Sequence, residues 1–335
     1  MKRPRPVAVL SVSHLIQFLL LLLLSLLAGM FALSQGSVDI SWDRIIDVLI
    51  NDARGMEAQI VLELRLPRII TGFVVGGLLA LAGVLMQVLL RNPLAEPYVL
   101  GISGGASVFA LLAILAGATG LWINLGAFTG ALLSMVLVFG LTRLGTNWNP
   151  MRILLTGVVI AAGWGAMINF MLAISPSTQI YSMLFWLMGD LNYARYSGFA
   201  MITLVTGFIL SMAIARSLNL LAYGDQQAAA LGVEVPLLRY VIYFLASFMT
   251  ATAVMQAGGI GFIGLIVPHM IRLLLGSDHR LLIPFSVLSG GILLVIADCL
   301  ARTIIAPQQL PVGVLTALIG VPLFLYLLQR ITTGR

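Results

Sequence analysis

Long apolar segments separated by short polar ones make up most of the chain. A membrane-spanning helix needs about 20 mainly apolar residues, and fewer where it is broken or shielded by neighbouring helices. Ten segments meet this description, at residues 14–34, 69–90, 97–116, 121–143, 152–174, 197–215, 237–256, 262–275, 283–303 and 311–329. The pattern predicts an all-α polytopic membrane protein with about ten transmembrane helices. Since no polar stretch is long enough to fold separately, residues 1–335 form a single transmembrane domain.

Three polar stretches between these spans have the pattern of short helices. Residues 41–50 and 178–188 predict helices on one side of the membrane, the first of them amphipathic. Residues 217–235 predict two short helices on the other side, divided near Gly224, the second ending at Gly232. This last element is too polar to insert into the bilayer.

Composition supports the membrane assignment and excludes one kind of site. The chain is 60% hydrophobic and 9% charged, and its mean hydropathy is +1.08. The net charge of +6 comes from arginines scattered between apolar runs, which is not a nucleic-acid-binding pattern. Lys2 is the single lysine, so the chain has no Gly-rich loop ending in Gly-Lys-Ser/Thr that could hold nucleotide phosphates. If transport uses ATP, another chain must hydrolyse it.

The distribution of basic residues predicts the orientation. Cytoplasmic loops carry the excess of Lys and Arg. With the N-terminus inside, 12 basic residues lie inside, at positions 2, 3, 5, 91, 143, 152, 216, 239, 272, 280, 330 and 335. Six lie outside, at positions 44, 54, 65, 68, 195 and 302. Ten spans return the C-terminus to the inside, so both termini are predicted to be cytoplasmic, and residues 35–67 and 175–196 are predicted to lie outside.

Little in the sequence indicates catalysis or a metal site. His14, His269 and His279 are isolated and lack metal-ligand spacing. Asp298 is the acidic residue placed deep in a predicted span, which makes it a functional candidate. Arg302 follows four residues later on the same helix face, so a structural ion pair is an equal alternative.

Three arginines on the predicted outer side need an explanation, because they oppose the positive-inside bias. Arg65 and Arg68 precede the second span, and Arg302 ends the ninth. Arginine binds carboxylates in a bidentate manner, so these residues could receive acidic side chains from an external partner. The alternative is pairing within the chain, with Glu57, Glu63 or Asp298.

Several sequence segments, in this order and spacing, resemble the permease subunits of type II ABC importers, which take up iron–siderophores, haem and cobalamin. The segments are Leu64-Arg65-Leu66-Pro67-Arg68, residues 83–87, Arg91-Asn92-Pro93-Leu94-Ala95-Glu96-Pro97, residues 100–106, Leu155-Thr156-Gly157, Phe185-Trp186-Leu187-Met188-Gly189, residues 228–233, residues 261–269 and Leu310-Pro311-Val312-Gly313 with Gly320. The resemblance covers residues 40–330.

This resemblance implies a set of partners. Two permease subunits would surround a central pathway in the bacterial cytoplasmic membrane, as a homodimer or, alternatively, as a pseudo-symmetric heterodimer. Two cytoplasmic ATPases would bind ATP and Mg, whereas this chain would bind no cofactor. A periplasmic binding protein would deliver a ferric siderophore, haem or cobalamin. The runner-up hypotheses are a stand-alone secondary transporter and an integral membrane enzyme, both of which lack comparable motifs.

The resemblance also implies roles for individual residues. Arg65, Arg68 and Arg302 would dock the binding protein. Residues 217–235 match coupling helices that seat on an ATPase, with contacts at Leu220, Gly224, Asp225, Gln226, Ala229, Leu231 and Gly232. The fifth span and the helix after it match elements that line and gate the pathway. Polar candidates for that pathway are Gln87, Thr156, Asn169 and Gln256.

Overall fold

A computed structural model of the chain describes residues 12–36, 38, 40–51, 55–143, 150–192 and 198–332. Within these residues the chain folds into fifteen α-helices. They are α1 (Val12–Ser34), α2 (Trp42–Ile50), α3 (Met56–Gln59), α4 (Leu66–Leu89), α5 (Ile102–Leu115), α6 (Leu121–Arg143), α7 (Pro150–Ile174), α8 (Ser177–Met188), α9 (Gly198–Ala213), α10 (Ala215–Ala222), α11 (Asp225–Ala230), α12 (Val235–Ala257), α13 (Ile263–Leu275), α14 (His279–Thr303) and α15 (Val312–Thr332).

The described helices reproduce the predicted spans. Six are long and apolar enough to cross a membrane: α1, α3–α4 taken together, α6, α7, α12 and α14. The pair α9–α10 passes the same criterion as one span bent by 59°, and α5, α13 and α15 are shorter apolar helices. Together these form ten apolar segments, in agreement with the predicted all-α architecture. The eighth span, predicted at residues 262–275, is the 13-residue helix α13.

Helix α4 lies at the centre of the subunit, where it packs against α12, α13 and α14. Of its apolar window, 89% is buried. Small residues permit this close packing. A Cβ on Gly83 would lie 1.9 Å from the carbonyl oxygen of Gly264, and one on Gly76 would lie 2.2 Å from that of Gly290.

The beginning of this central helix differs from the prediction. The second span was expected to begin at residue 69, but the helix begins at Met56 and continues through a π-helical turn at Ile60–Arg65. The prediction placed this charged stretch in the polar outer segment 35–67, before the second span. The helix accommodates them because Glu63 is exposed and Arg65 has internal partners.

The predicted short helices are present. Helices α2 and α8 coincide with residues 41–50 and 178–188 to within one residue at either end. Helices α10 and α11 are separated at Gly224, whose φ is 123°, and Gly232 follows α11 with φ 84°. Glycine adopts these left-handed conformations without the steric cost that a Cβ imposes, which explains why the element divides and ends there.

Candidate functional site

Two polar regions lie at opposite ends of helix α14. Asp278, just before α14, accepts a hydrogen bond from Asn219 of α10. Asp298 and Arg302, in the last turns of α14, belong to a buried arginine cluster. Because an α-helix rises 1.5 Å per residue, about 36 Å separates the two ends. Helices α10 and α11 and the arginine cluster therefore lie on opposite sides of the bundle.

The arginine cluster centres on Asp298, which is 2% exposed. Arg68 donates to both carboxylate oxygens of Asp298, with distances of 2.7 and 2.9 Å to Oδ1 and 2.9 Å to Oδ2. Arg302 donates from Nε to Oδ2 at 3.1 Å. Asp298 therefore accepts hydrogen bonds from two arginines of the same chain. This is the structural ion pair that the sequence left open as an alternative.

The same arginines satisfy carbonyl groups at the end of α1. Arg65 donates to the Leu33 carbonyl at 2.6 Å, and Arg302 donates to the Ala32 and Gln35 carbonyls at 3.3 Å each. The last four carbonyls of a helix lack partners within it, and the helix dipole favours positive charge there. The arginines therefore fix α1 to α4 and α14.

The cluster keeps an excess of positive charge. Arg68 and Arg302 pair with Asp298, and Asp190 Oδ1 lies 4.0 Å from Arg68 Nη2. Arg65 instead donates to backbone carbonyls, so three guanidiniums stand beside two carboxylates. Burial raises the pKa of Asp190, which favours its neutral form, although Arg68 acts in the opposite direction. The three arginines are only 5–8% exposed. They can therefore attract a binding partner through their net positive charge rather than through direct hydrogen bonds.

At the other end, ion pairs and hydrogen bonds hold α10 and α11. Asp225, the first residue of α11, pairs with Arg91 and with Arg239, whose Nη2 lies 2.6 Å from Oδ2 and 2.7 Å from Oδ1. Asn219 of α10 accepts a hydrogen bond from the His279 N–H at 2.9 Å. The two short helices are therefore attached to α4, α12 and α14.

The outward face of these helices is open. Of the residues predicted to contact an ATPase, Gln226, Ala229, Leu231 and Gly232 are exposed, and Leu220, Gly224 and Asp225 are half-buried. Leu231 is 66% exposed. Apolar side chains beside polar ones, on short helices beyond the 59° bend that follows α9, are typical of a protein-binding surface.

The polar residues predicted for a pathway occupy different places. Asn169 is exposed on α7, Thr156 on the same helix is half-buried, and Gln256 is half-buried near the end of α12. Gln87 is buried inside the subunit, where it donates to the Leu265 carbonyl and accepts from Arg272 at 2.8 Å. The structure therefore does not bring these four residues together in one subunit.

A cavity of about 490 Å³ opens between α5 and α7. Its lining is apolar and includes Leu112, Met167 and Phe170. The part of the chain that the structure describes contains no group of three or more His, Cys, Asp or Glu residues placed to hold a metal ion.

Ten apolar helical segments indicate a multi-pass membrane protein, with a charged cluster at one end and an open helix pair at the other. Comparison with known proteins identifies its family. The model of the FecCD transport family matches residues 20–330, and the chain belongs to this family.

Two curated relatives differ in the cargo that their names give. The chain is 40% identical over 325 residues to the hemin transport system permease protein HmuU of Yersinia pestis, covering 93% of this chain and 94% of the relative. It is 41% identical over 276 residues to the cobalamin import system permease protein BtuC of Halobacterium salinarum, covering 81% and 74%. Identity alone therefore does not select a cargo.

A solved structure supports the same assignment. A metal-chelate type ABC transporter in an inward-facing conformation aligns with a TM-score of 0.83 and 29% identity, covering 95% of this chain and 99% of the other. The chain is thus a permease subunit of an ABC importer with the type II permease fold, and not an enzyme. The stand-alone carrier hypothesis is not favoured.

Sequence reasoning missed several residues of the two polar regions. Arg91 and Arg239 hold Asp225 from 134 and 14 positions away, and Asp190 lies beside Arg68. No short-range pattern signals such contacts, because they depend on how the helices pack.

Proposed function

We propose that two copies of this chain form a pathway in the bacterial cytoplasmic membrane and import a metal chelate delivered by a periplasmic binding protein. Two cytoplasmic ATPases, which bind ATP and Mg, drive alternating access by moving α10 and α11. Both termini lie in the cytoplasm, in keeping with the bias of basic residues. Ferric siderophore, haem and cobalamin are the candidate cargoes, since relatives that transport haem and cobalamin are similarly close.

The open face of α10 and α11 carries this proposal. It presents Leu231, Ala229 and Gln226 on an element fixed to three spans. A partner that binds this face can therefore displace the spans themselves. ATP binding would shift the subunit between two packings, which requires that the partner bind the two with different affinity.

Co-purification tests the ATPase surface. Leu231→Asp places a charge in the centre of the open face, so we expect loss of the co-expressed ATPase from the purified permease. The matched control is Ile50→Asp at the opposite end of the molecule, where Ile50 is 75% exposed. Equal recovery of the ATPase with both variants would contradict the proposal.

The arginine cluster is proposed to attract acidic residues of the binding protein through its excess charge. Charge steering of this kind raises the association rate and weakens with salt. Two loop variants change the local charge while Arg65, Arg68 and Arg302 are all retained, at Asp190 and Asn192, which both contact Arg68. Asp190→Asn should raise the association rate of the binding protein, and Asn192→Asp should lower it.

Stopped-flow binding at several salt concentrations measures this effect. The two variants should differ most at low salt and converge at high salt. Equal association rates at low salt would show that the cluster only fixes α1, α4 and α14 together.

The pathway is proposed to run along the exposed face of α7 that carries Asn169, with Gln256 near the outer end of the pathway. Thr156 lies 13 residues before Asn169 and, at 3.6 residues per turn, faces about 140° away from it, so it borders the pathway only at its edge. Gln87 is left out, because α4 and α13 use its amide inside the subunit. On α7, Ala162, Ala166 and Asn169 share one stripe of small or polar residues, which allows a second copy to approach closely.

A further inference from the structure

Residues 91–98, called the strap here, connect α4 to α5 and are held at both ends. At the first end, the Arg91 guanidinium pairs with Asp225 of α11. Arg91 follows α4 directly, so this ion pair ties the inner helices to the start of the strap.

The other end of the strap holds the turn between α12 and α13. Glu96 Oε1 accepts a hydrogen bond from the Phe262 N–H at 2.8 Å. The Tyr98 hydroxyl accepts one from the Ile260 N–H at 3.2 Å. The strap therefore spans from α11 to residues 258–262.

Both ends of this connection have an unusual backbone. Among the described residues, Arg91 (φ 48°) and Phe262 (φ 70°) are the two non-glycine residues with positive φ. This conformation is disfavoured for a residue with a Cβ and persists where surrounding contacts enforce it. Arg91 occupies the position after α4 at which glycine is favoured, with its N–H bonded to the Val88 carbonyl. The ion pair to Asp225 is the contact that the Arg91 side chain makes from this position and that a glycine would lack.

The Glu96 contact lies deep in the molecule. Helix α13 begins at Ile263 and runs for 13 residues to the end of the bundle that holds α10. At 1.5 Å per residue, its beginning lies about 20 Å from that end. The hydrocarbon layer is about 30 Å thick, so Glu96 is a carboxylate at membrane depth, which marks it as a functional candidate.

The turn held by the strap supports the end of α8. The Asp190 N–H donates to the Ala257 carbonyl at 2.9 Å. A Cβ on Gly258 would lie 2.3 Å from the Trp186 carbonyl oxygen, and one on Gly189 would lie 2.7 Å from that of Gly259. With so little space between the two backbones, a displacement of residues 258–259 must move α8.

We propose that the strap transmits displacement of α10 and α11 to α8, with Arg91 and Glu96 as positioning residues for transport. The inference rests on the proposed binding of an ATPase to α10 and α11. It adds a route by which ATPase binding displaces α8 on the far side of the membrane, about 20 Å or more away.

The variant Arg91→Gly tests whether the strap transmits displacement, because it removes the ion pair without destabilising the fold. Glycine suits the left-handed backbone, so the melting temperature of the subunit should stay the same or rise, while the ion pair to Asp225 is lost. The reporter is Tyr181→Cys, exposed on α8, in a Cys299→Ser background. A water-soluble maleimide labels it in proteoliposomes containing the permease, its ATPase and its binding protein, with and without ATP.

With Arg91 present, the labelling rate should change when ATP is added. In Arg91→Gly, the ATPase should still co-purify and hydrolyse ATP, but the ATP-dependent change in labelling should be lost. Arg91→Lys, which keeps the charge, should retain part of it. An unaltered ATP response in Arg91→Gly would overturn the inference.

Glu96 provides an independent test at the other end. Glu96→Gln keeps an acceptor oxygen for the Phe262 N–H and should retain the ATP response, whereas Glu96→Leu removes the acceptor and should lose it. Equal responses in the two variants would overturn the role of Glu96. Failure of the ATPase to bind even with Arg91 and Glu96 intact would instead refute the proposed function, and the inference with it.

Discussion

Helices α1 and α7 are both largely exposed in the single subunit, yet their exposed faces differ. Only 11% of the apolar window of α1 and 17% of that of α7 is buried. The exposed face of α1 consists of large apolar side chains such as Leu19, Leu20 and Leu23. That of α7 mixes apolar residues with small and polar ones, including Gly163 and Asn169.

This difference indicates two environments. Leucine side chains suit lipid tails, whereas small residues permit close helix packing and a polar amide needs a hydrogen-bond partner. We infer that α1 faces lipid and that α7 faces a second permease subunit and the pathway. Exposure in a single membrane subunit thus has to be interpreted together with side-chain size and polarity.

The largest effect is expected when an arginine is introduced on the exposed face of α1 rather than on that of α7. Leu20→Arg places a guanidinium near the centre of a lipid-facing helix, at a cost of about 2.5–3.5 kcal/mol. We expect a large loss of folded protein, measured by fluorescence-detected size-exclusion chromatography. Asn169→Arg faces water in our proposal, so its yield should be near that of the unmodified chain. Equal losses from both variants would place α7 in lipid.

A smaller effect is expected when a glycine on the exposed face of α7 is replaced by a large residue. A Cβ on Gly163 of α7 meets nothing within 4 Å in this subunit, and the same holds for Gly140 of α6. Gly163→Leu should leave the melting temperature of the subunit unchanged but weaken its pairing by about 1–3 kcal/mol, the cost of overpacking a close contact.

The measurement for this prediction is the dimer fraction of detergent-solubilised permease by mass photometry. Gly140→Leu is the matched control and should pair normally. If Gly163→Leu pairs as well as Gly140→Leu, then α7 is not at the interface.

The smallest effect is expected from removing one amide. Asn169→Ala should slow uptake about threefold, the value of one hydrogen bond of about 0.6 kcal/mol in a membrane protein. Asn169→Gln, which keeps the amide, should recover most of the rate. Radiolabelled haemin in proteoliposomes with the complete transporter is the probe, and an unchanged rate in Asn169→Ala would remove this residue from the pathway.

The sequence was sufficient for features that local pattern determines. The ten apolar segments follow from hydrophobicity, and the division between α10 and α11 follows from Gly224. It was insufficient where charged residues are satisfied at a distance. The start of the helix at Met56 was missed because Arg65 finds its acceptors at the end of α1, and the Arg91–Asp225 pair joins residues 134 positions apart.

The most direct test of the central claim compares two introduced cysteines in the Cys299→Ser background. Asn169→Cys on α7 and Leu20→Cys on α1 are exposed to different surroundings in our account. In proteoliposomes with the complete transporter, a membrane-impermeant maleimide should label Asn169→Cys at a rate that changes with ATP, and should not label Leu20→Cys. Equal labelling of both positions, or a rate at Asn169→Cys that ignores ATP, would contradict a pathway along α7 driven by a partner ATPase.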